Sequence, residues 1–585
     1  MLAIALTNPR DAWIWEATKP GAIRNCGSLT TMLLRRCVHR WHRPGGLQWV
    51  KFCMKSSGSS DDELIGAAQE LSNPESEPYA KRRLFVGAIA HSLELGKLEF
   101  LDPGILAVDA RGEILFCAPL TIDDHKKIDS NIAARGIDRR LVELEVEKEL
   151  ASVGPPKDEE EAIQAASAPN LRSNRTHYQV SDFEWVDLGQ RILIPGFVDA
   201  HVHAPQYGYM GVGVGMPLLE WLDTYTFPFE SQFKNLNFAR SAYERAVRRY
   251  LINGTTFASY FATIHTEASK ELVRIGRELG QRVHVGKVNM DQNGSEEHGY
   301  VETTKESLEQ TEDFVDHVQR LEDPLAVPVI TPRFVPNCSS GLMRDLASIS
   351  DRDELPVQTH MSENRDEIKW VKELYPESSS YADVYDSHGL LNDRTYLAHC
   401  IHCTRGEVAL LAQRGSAVVH CPNSNFALKS GVCDVRNMLN RGVRVALGTD
   451  VGGGTSPSML NAIRLTLCAS VAACEARNNR ECETHDHSEG DGHTSEAVQE
   501  PITMEEAFYL ATQGGADVLG KGDTVGNFLP GKSLDALIIN GEGVGGRSPF
   551  DIFEGQGVSE IFQKFIFLGD DRNIEQIFVA GRRVV

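Results

Sequence analysis

Eight short apolar runs, separated by longer amphipathic stretches, divide most of this 585-residue chain into repeating units. Apolar runs of this kind are typical of strands buried in a parallel sheet, and the stretches between them have the length and periodicity of helices. The runs cover residues 192–194 with 197–198, 255–258, 283–285, 327–330, 357–359, 396–398, 417–419 and 445–447. Repeated β-α units of this number predict an α/β fold, a (β/α)8 TIM-like barrel over residues 196–525.

Further strand-like runs, bounded by Gly and Asp turns, occur towards both ends of the chain. They cover residues 84–89, 105–108, 114–116, 183–186, 536–539 and 577–580. Since these runs lie on either side of the barrel in sequence, we expect the two ends to pair with each other. The predicted result is one discontinuous β-domain, built from residues 81–195 and 526–585.

Three stretches depart from these patterns. Residues 1–80 lack periodicity, and Asp11 and Glu16 are the only acidic residues among the first 55. We expect a disordered N-terminal extension there, with a mitochondrial transit peptide as the alternative. Residues 122–182 are a polar insertion, expected to be partly helical and partly loose, and residues 478–500 are expected to form an acidic loop insertion.

The composition excludes several classes of partner. Lys and Arg number 59 and Asp and Glu 82, which leaves a net charge of −23. This charge repels phosphate backbones and anionic membranes, so we predict no nucleic-acid partner. No window approaches the roughly 18 consecutive apolar residues of a membrane helix, and no membrane association is predicted. The 12 Cys without a secretory signal predict reduced thiols and a cytoplasmic protein, with a zinc knuckle or redox pair at Cys400 and Cys403 as the alternative.

Side chains able to bind a metal follow five of the eight apolar runs. They are His201, His203, His360, His399, His420 and Asp450. Catalytic groups of a (β/α)8 barrel lie at the C-terminal ends of its strands, and alternate residues of an extended segment point to one side. His201 and His203 can therefore face the same metal ion. His420 either faces the pocket or only satisfies backbone groups, and the sequence leaves both interpretations open.

Imidazole and carboxylate ligands without thiolates suit zinc, or a similar metal such as iron. A water bound to such a metal can have its pKa lowered from 15.7 to roughly 7, which favours hydrolysis at neutral pH. Hydrolysis also needs a group that moves protons, and Glu363, three residues after His360, is the candidate. The alternative is a solvated Glu near a helix N-terminus.

These residues resemble the amidohydrolase superfamily, whose members are distorted (β/α)8 barrels with a flanking β-sandwich. The resemblance rests on residues 195–203 (PGFVDAHVH), on His360 and His399, and on residues 448–450 (GTD). Further segments resemble the members that deaminate guanine: residues 203–207, 217–222, 224–228, 331–334, 362–365 and 420–425. The resemblance covers about residues 84–120 and 183–585, without the extension and the two insertions.

The resemblance implies one zinc ion per chain. Its implied ligands are His201, His203, His360 and Asp450. His399 would hydrogen-bond the metal-bound hydroxide, Glu363 would protonate a ring nitrogen of guanine, and Asp450 would help to take the proton of water; these three are the implied catalytic residues. Two-metal members often carry a carboxylated lysine after the fourth strand, where this chain has Thr331-Pro332-Arg333, so a single metal is expected.

The implied substrate-binding residues are Gln206 and Arg333 for the polar edges of the purine, with Phe334, Trp221 and Phe227 as apolar walls. The implied reaction is hydrolytic deamination of guanine to xanthine and ammonia in purine catabolism or salvage. The family also implies a cytoplasmic homodimer. Two alternatives remain: the same chemistry on another heterocycle, such as a pterin, a triazine or cytosine, and a non-catalytic scaffold.

Overall fold

The computed structural model of the protein describes residue 77 and residues 79–120, 139–153, 178–485 and 499–585. Nearly all of the predicted extension, 1–80, lies outside the described residues. So do large parts of the two predicted insertions, 122–182 and 478–500.

The strands of the described residues are numbered in chain order. They are β1 (Arg83–Glu94), β2 (Lys97–Val108), β3 (Ile114–Pro119), β4 (Glu184–Pro195), β5 (Phe197–His203), β6 (Thr255–Phe261), β7 (Arg282–Gly286), β8 (Val288–Asn289), β9 (Ala326–Pro328), β10 (Thr331–Pro332), β11 (Val357–Met361), β12 (Thr395–His399), β13 (Ala417–His420), β14 (Val445–Leu447), β15 (Ala536–Ile539), β16 (Ile574–Val579) and β17 (Arg582–Arg583).

Helices connect most of these strands. The α-helices of the described residues are Arg139–Ser152, Leu218–Trp221, Phe227–Glu230, Leu236–Ile252, Thr266–Leu279, Thr304–Gln319, Ser340–Arg352, Arg365–Leu374, Tyr381–Ser387, Arg405–Arg414, Pro422–Ala427, Val435–Asn440, Met459–His485, Met504–Leu510, Gln513–Val518 and Val558–Leu568. A π-helix covers Leu222–Thr226. The 3-10 helices are Val180–Asp182, Ala204–Tyr209, Ser231–Lys234, Val335–Asn337 and Asp571–Asn573.

Local sequence determines where several of these helices begin and end. Thr303 and Thr404 each accept a backbone N–H in a capping box with a Glu three residues later. Two helices, one of them the helix that Thr404 caps, end at glycines in the left-handed region, Gly280 with φ 80° and Gly415 with φ 71°. These signals set the length of the helices that link successive strands.

Two four-stranded parallel sheets carry the eight predicted runs. One has the order β5-β6-β7-β9 and the other β11-β12-β13-β14, and each run overlaps a strand of these sheets. A parallel bridge joins Ile330 to Val357 at one pair of sheet edges. At the other pair, the Asp450 N–H donates to the His201 carbonyl at 2.9 Å and the His203 N–H to the Val451 carbonyl at 2.9 Å.

The first predicted run is divided between two sheets. Residues 192–194 belong to β4, whereas residues 197–198 begin β5. The chain crosses from one sheet to the other at Gly196, where a Cβ atom would lie 2.1 Å from the hydroxyl oxygen of Thr256. The end of β4 and the start of β5, separated by Gly196, were thus predicted as one run.

A seven-stranded sheet contains strands from both ends of the chain, in the order β17-β16-β15-β4-β1-β2-β3. Strand β15 pairs antiparallel with β4, so that Ala536 lies opposite Pro195 and Ile539 opposite Ile192. The C-terminal run 536–539 therefore pairs with residues 192–195 of β4, of which 192–194 were predicted as part of the first barrel run, and the N-terminal runs join the same sheet through β4.

The helix Met459–His485 departs from the prediction, because residues 478–485 continue it instead of starting an acidic loop. Residues 459–489 include Ala, Arg and Glu, which favour helix. They include no Gly or Pro, the residues that usually end one. The stretch Met459–Arg477 has a mean hydropathy of 1.3 and is long and apolar enough to cross a membrane by length and composition alone. A core helix of a soluble protein meets the same criterion, and 44% of this stretch is buried.

Candidate active site

The predicted metal-binding residues converge at the C-terminal ends of the parallel strands. His201 and His203 lie in β5, His360 lies in β11, His399 is the last residue of β12, and Asp450 follows β14. The exposed fraction of these side chains ranges from 1% for His201 to 9% for His360. Five residues that are distant in sequence thus share one buried region.

Their nitrogen and oxygen atoms are spaced like ligands of a single ion. His201 Nε2 lies 3.2 Å from Asp450 Oδ1, and His203 Nε2 lies 3.4 Å from the same oxygen. His203 Nε2 is also 3.2 Å from His360 Nε2. Zinc holds nitrogen and oxygen ligands at about 2.0–2.2 Å, which places neighbouring ligand atoms roughly 3–3.5 Å apart.

His399 lies beside this group and also contacts Glu363. Its Nε2 is 3.7 Å from Asp450 Oδ2 and 3.4 Å from Glu363 Oε2. One set of four potential ligand atoms lies within 4.8 Å of one another, and its residues are His201, His360, His399 and Asp450. That set contains His399 in place of His203. However, His203 Nε2 lies closer to the Asp450 carboxylate than His399 Nε2 does. We therefore give more weight to His203, because 3.2–3.4 Å matches ligands of one ion better than 3.7 Å does.

Backbone strain accompanies the site at two strand ends. His399 has φ 72° and Asp450 has φ 47°, in the left-handed region that residues other than glycine rarely adopt. Such conformations persist where surrounding contacts impose them, and they cluster at functional sites. Here His399 Nδ1 donates to Asn425 Oδ1 at 2.9 Å, which holds the imidazole with Nε2 directed at the carboxylates.

The protonation states suit a metal ion. Burial lowers the pKa of His201, His203 and His360, which keeps these imidazoles neutral. His360 Nδ1–H donates to the Arg333 carbonyl at 2.7 Å, so its Nε2 carries the lone pair. Burial alone would raise the pKa of Asp450, but the neighbouring histidines hold it below its ordinary value. Among the described residues His201 Nε2 has no hydrogen-bond partner, and the donor set as a whole fits a divalent metal.

Glu363 and His399 form a second functional pair. Burial raises the pKa of Glu363 to about 7, although the charge of His399 opposes the shift. Burial acts against protonation of His399, but the carboxylates of Glu363 and Asp450 outweigh it and raise its pKa. A carboxyl group that titrates near neutrality beside an imidazole whose pKa is raised is suited to proton transfer.

A cavity opens directly onto these groups. Its lining residues are His203, Gln206, Leu218, Trp221, Leu222, Arg333, Phe334, His360, Glu363, His399, Leu428, Asp450 and Gly453. Four of the five predicted substrate-binding residues are among them. Phe227 is not, because it packs behind Arg333, with the guanidinium carbon 5.1 Å from the centre of its ring.

Glu230 is a buried residue of the site that sequence reasoning missed. It contacts both predicted polar substrate ligands: Arg333 Nη1 lies 2.7 Å from its Oε2, and Gln206 Nε2 lies 2.8 Å from its Oε1. The available signal was a Glu between Phe229 and Phe233, because a charge in an aromatic segment needs a partner. The identity of that partner could not be read from the sequence.

Asp199 connects the two sheet edges at the site. Its carboxylate accepts the Thr449 N–H at 3.0 Å and the Thr449 hydroxyl, which ties β5 to the turn before Asp450. His420 is fully buried, and burial lowers its pKa to about 3. Within the described part of the chain its ring nitrogens have no hydrogen-bond partner and it does not line the cavity, so neither predicted role of His420 is supported. Cys400 and Cys403 are free thiols.

Comparison with known proteins defines the class of this protein. The model of the Amidohydrolase family matches residues 192–584. The chain belongs to the amidohydrolase family, as its sequence motifs predicted, and it has the α/β, TIM-like fold of that family.

Guanine deaminases are among its relatives in the family. The enzyme of Dictyostelium discoideum is 40% identical over 502 residues, which cover 86% of this chain and 98% of that protein. The enzyme of Mus musculus is 44% identical over 397 residues, covering 67% of this chain and 83% of the relative. A crystal structure of guanine deaminase from C. acetobutylicum with guanine bound in the active site is 31% identical, with a TM-score of 0.68, and covers 86% of this chain and 100% of its own.

Proposed function

We propose that this protein catalyses the hydrolytic deamination of guanine to xanthine and ammonia, as a step of purine catabolism or salvage. The observation that carries the proposal is the junction of a metal-ligand cluster with a cavity whose polar wall is Gln206 and Arg333. The 40% identity to the Dictyostelium discoideum guanine deaminase, over almost the whole length of that relative, supports the choice of guanine.

One zinc ion per chain is proposed as the cofactor, with iron as the alternative for the same donor atoms. His201, His203, His360 and Asp450 would hold it. A bound zinc ion lowers the pKa of coordinated water towards about 7 and so supplies the nucleophile. His399, held by Asn425, would hydrogen-bond the attacking oxygen rather than ligate the metal.

The proposed proton transfers use two carboxyl groups, those of Asp450 and Glu363. Asp450 takes a proton from the attacking water as it adds to the ring carbon that bears the amino group. Glu363, with a pKa near 7, protonates the adjacent ring nitrogen. The amine then leaves as ammonia after a further protonation, which Glu363 can relay because it lies within the same buried region as Asp450 and His399.

Recognition of the base is proposed to use both walls of the cavity. Arg333 and Gln206 would hydrogen-bond the polar edge of the purine, while Phe334 and Trp221 would contact its faces. A cavity whose buried polar groups lose their partners when the wrong base enters discriminates strongly between substrates. Phe227 would contribute indirectly, through its contact with Arg333.

The finer architecture is also a proposal. We propose that the two parallel sheets close into one (β/α)8 barrel, supported by the hydrogen bonds between His203 and Val451 and the bridge between Ile330 and Val357. The seven-stranded sheet would belong to a flanking β-sandwich domain of residues 81–195 and 526–585. A cytoplasmic homodimer without nucleic-acid or membrane partners is proposed as the form in which the enzyme acts.

A substrate panel tests the function. Purified, zinc-loaded protein is assayed for ammonia release from guanine, a pterin, a triazine and cytosine at equal concentrations. We expect guanine to be the best substrate, with xanthine as its product. If another heterocycle gave a higher kcat/KM than guanine, that heterocycle would be the substrate and the choice of guanine would be wrong. A folded, zinc-loaded protein that releases no ammonia from any of them would contradict the enzymatic proposal and support the scaffold alternative.

A further inference from the structure

We propose that Glu230 is a positioning residue that sets the specificity of the cavity, because it orients Arg333 and Gln206 and neutralises the charge of Arg333. The cavity then accepts an uncharged heterocycle that presents a hydrogen-bond acceptor to Arg333. This inference rests on the proposed function and extends it to a residue that does not itself contact the substrate.

The contacts of Glu230 motivate the inference. Its side chain is 0% exposed, at the end of the helix Phe227–Glu230. Oε2 accepts from Arg333 Nη1 at 2.7 Å and from the Tyr300 hydroxyl at 2.5 Å. Oε1 accepts from Gln206 Nε2 at 2.8 Å and from Arg333 Nη2 at 3.3 Å. A buried carboxylate with four donors on two oxygens holds those donors in one geometry.

These contacts determine what Gln206 and Arg333 can offer a ligand. Gln206 Nε2 faces Glu230, and its Oε1 accepts from the Gly452 N–H at 3.2 Å, so the orientation of the amide is set. Arg333 directs one N–H from each terminal nitrogen at Glu230, and its remaining N–H groups can only donate. A ligand must therefore present acceptors to Arg333, as the carbonyl and unprotonated nitrogens of a purine do.

The charge of Glu230 has a separate consequence. Within the described part of the chain, Arg333 forms an ion pair with Glu230, and both side chains are at most 3% exposed. An uncompensated guanidinium in such a site would attract anions strongly. Because the Glu230 carboxylate pairs with Arg333, a neutral base is bound without having to supply the balancing charge.

The chain offers a matched control for a merely structural ion pair. Lys287 and Glu302 also form a buried pair, and neither lines the cavity. Lys287 also lies near the hydroxyl of Ser307, at 3.5 Å, so that this pair has its own polar surroundings. Glu302→Gln removes a buried carboxylate charge without a change in the cavity wall.

The test compares Glu230→Gln and Glu302→Gln in the full-length, zinc-loaded protein. For Glu230→Gln we expect kcat/KM for guanine to fall about 10- to 100-fold, mainly through KM, with unchanged zinc content. The second substrate is 8-azaguanine, a close isostere of guanine that is largely ionised at mildly alkaline pH, where guanine is neutral. At that pH, the ratio of kcat/KM for 8-azaguanine to that for guanine should rise in Glu230→Gln. Glu302→Gln should change only the melting temperature.

A Glu230→Gln protein whose KM for guanine stays within twofold of the wild type would overturn the inference, as would a ratio that does not rise. If Glu230→Gln does not fold, Glu230→Asp takes its place, since it keeps the charge but is one methylene too short to reach both Arg333 and Gln206. For Glu230→Asp we expect a higher KM for guanine and an unchanged ratio of kcat/KM for 8-azaguanine to that for guanine. An unchanged KM for guanine in Glu230→Asp would refute the proposal. A wild-type protein inactive towards guanine would instead contradict the proposed function.

Discussion

Glu363 and His399 lie 3.4 Å apart at the edge of the metal-ligand cluster, and each shifts the pKa of the other. The carboxylate favours the charged imidazole, while burial favours the protonated carboxyl group. The resulting pair can store and release a proton near neutral pH, which is what an amine leaving group requires. At the scale of single residues, this pair and the metal ligands have separable roles.

Glu363→Gln tests the proton-transfer role. The amide occupies nearly the same space but cannot titrate, so we expect turnover of guanine to fall about 10²- to 10⁴-fold while zinc content and melting temperature stay close to those of the wild type. Glu407→Gln is the control, since Glu407 is a buried carboxylate that caps a helix away from the cavity. Wild-type turnover in Glu363→Gln would remove Glu363 from the mechanism.

The identity of the fourth ligand can be decided by metal analysis of two variants. Because the ligand-like spacings are those of His203, we expect His203→Ala to lose bound zinc and His399→Asn to keep it while losing turnover. Elemental analysis of both proteins, purified in parallel, gives the zinc content per chain. The reverse pattern would make His399 the ligand and His203 its neighbour.

At the scale of elements, each candidate metal ligand owes its position to the C-terminal end of a strand. The shared direction of His201 and His203 could be predicted because side chains two residues apart in a strand point to the same side. The positions of His360, His399 and Asp450 could be predicted because each of these residues follows an apolar run. These features are local in sequence, so the eight strands and the metal-ligand cluster could be predicted.

The rest of the site depends on contacts that no local pattern carries. Glu230 meets Arg333 across 103 residues of sequence, and nothing near either residue identifies the other. Phe227 was expected in the cavity wall from the family resemblance of residues 224–228, yet its ring lies behind Arg333. The continuation of a helix through residues 478–485 was hidden by their charge, which polar helices and loops share.

Strand β7 carries a buried histidine, His284, that makes stability depend on pH. Burial lowers the pKa of His284 to about 3, from an ordinary value near 6.5. Between these values the unfolded chain binds a proton that the folded chain does not, so stability is present above pH 6.5 and falls as the pH falls towards 3. His284→Leu removes the group that binds this proton. We therefore expect the free energy of unfolding of the variant to decrease less steeply with falling pH than that of the wild type, and the two slopes to differ by up to about 1.4 kcal/mol per pH unit.

The pH dependence of His284→Leu is measured by urea unfolding at several pH values between 4.5 and 7.5. His298→Leu, at an exposed position, controls for the loss of a histidine. Equal slopes in the wild type and His284→Leu would show that this side chain does not account for the acid sensitivity.

At the scale of the whole molecule, the chain returns to its starting sheet after building both parallel sheets. Strand β15 lies directly against β4, and the turn after β16 meets the turn before β3. The family match over residues 192–584 includes the returning strands β15, β16 and β17 and the last four residues of β4, with which β15 pairs.

Gly112→Ala tests the importance of that return. Gly112 has φ 84°, and a Cβ atom there would lie 2.2 Å from the Ala580 carbonyl oxygen. We expect a loss of about 1–3 kcal/mol in the free energy of unfolding, because both the backbone conformation and the contact disfavour a side chain. KM for guanine should not change, since neither residue lines the cavity. Gly189→Ala, where nothing lies within 4 Å of the added atom although φ is 55°, separates conformational strain from the contact.

A zinc titration of chelated protein, followed by xanthine formation from guanine, tests the central claim most directly. The protein is stripped of metal, shown to remain folded, and assayed after stepwise addition of zinc. We predict no activity without metal and a linear rise in the rate of xanthine formation that ends at one zinc per chain. Full activity in the stripped protein, or a zinc-saturated protein that forms no xanthine, would contradict a single metal-activated deaminase site.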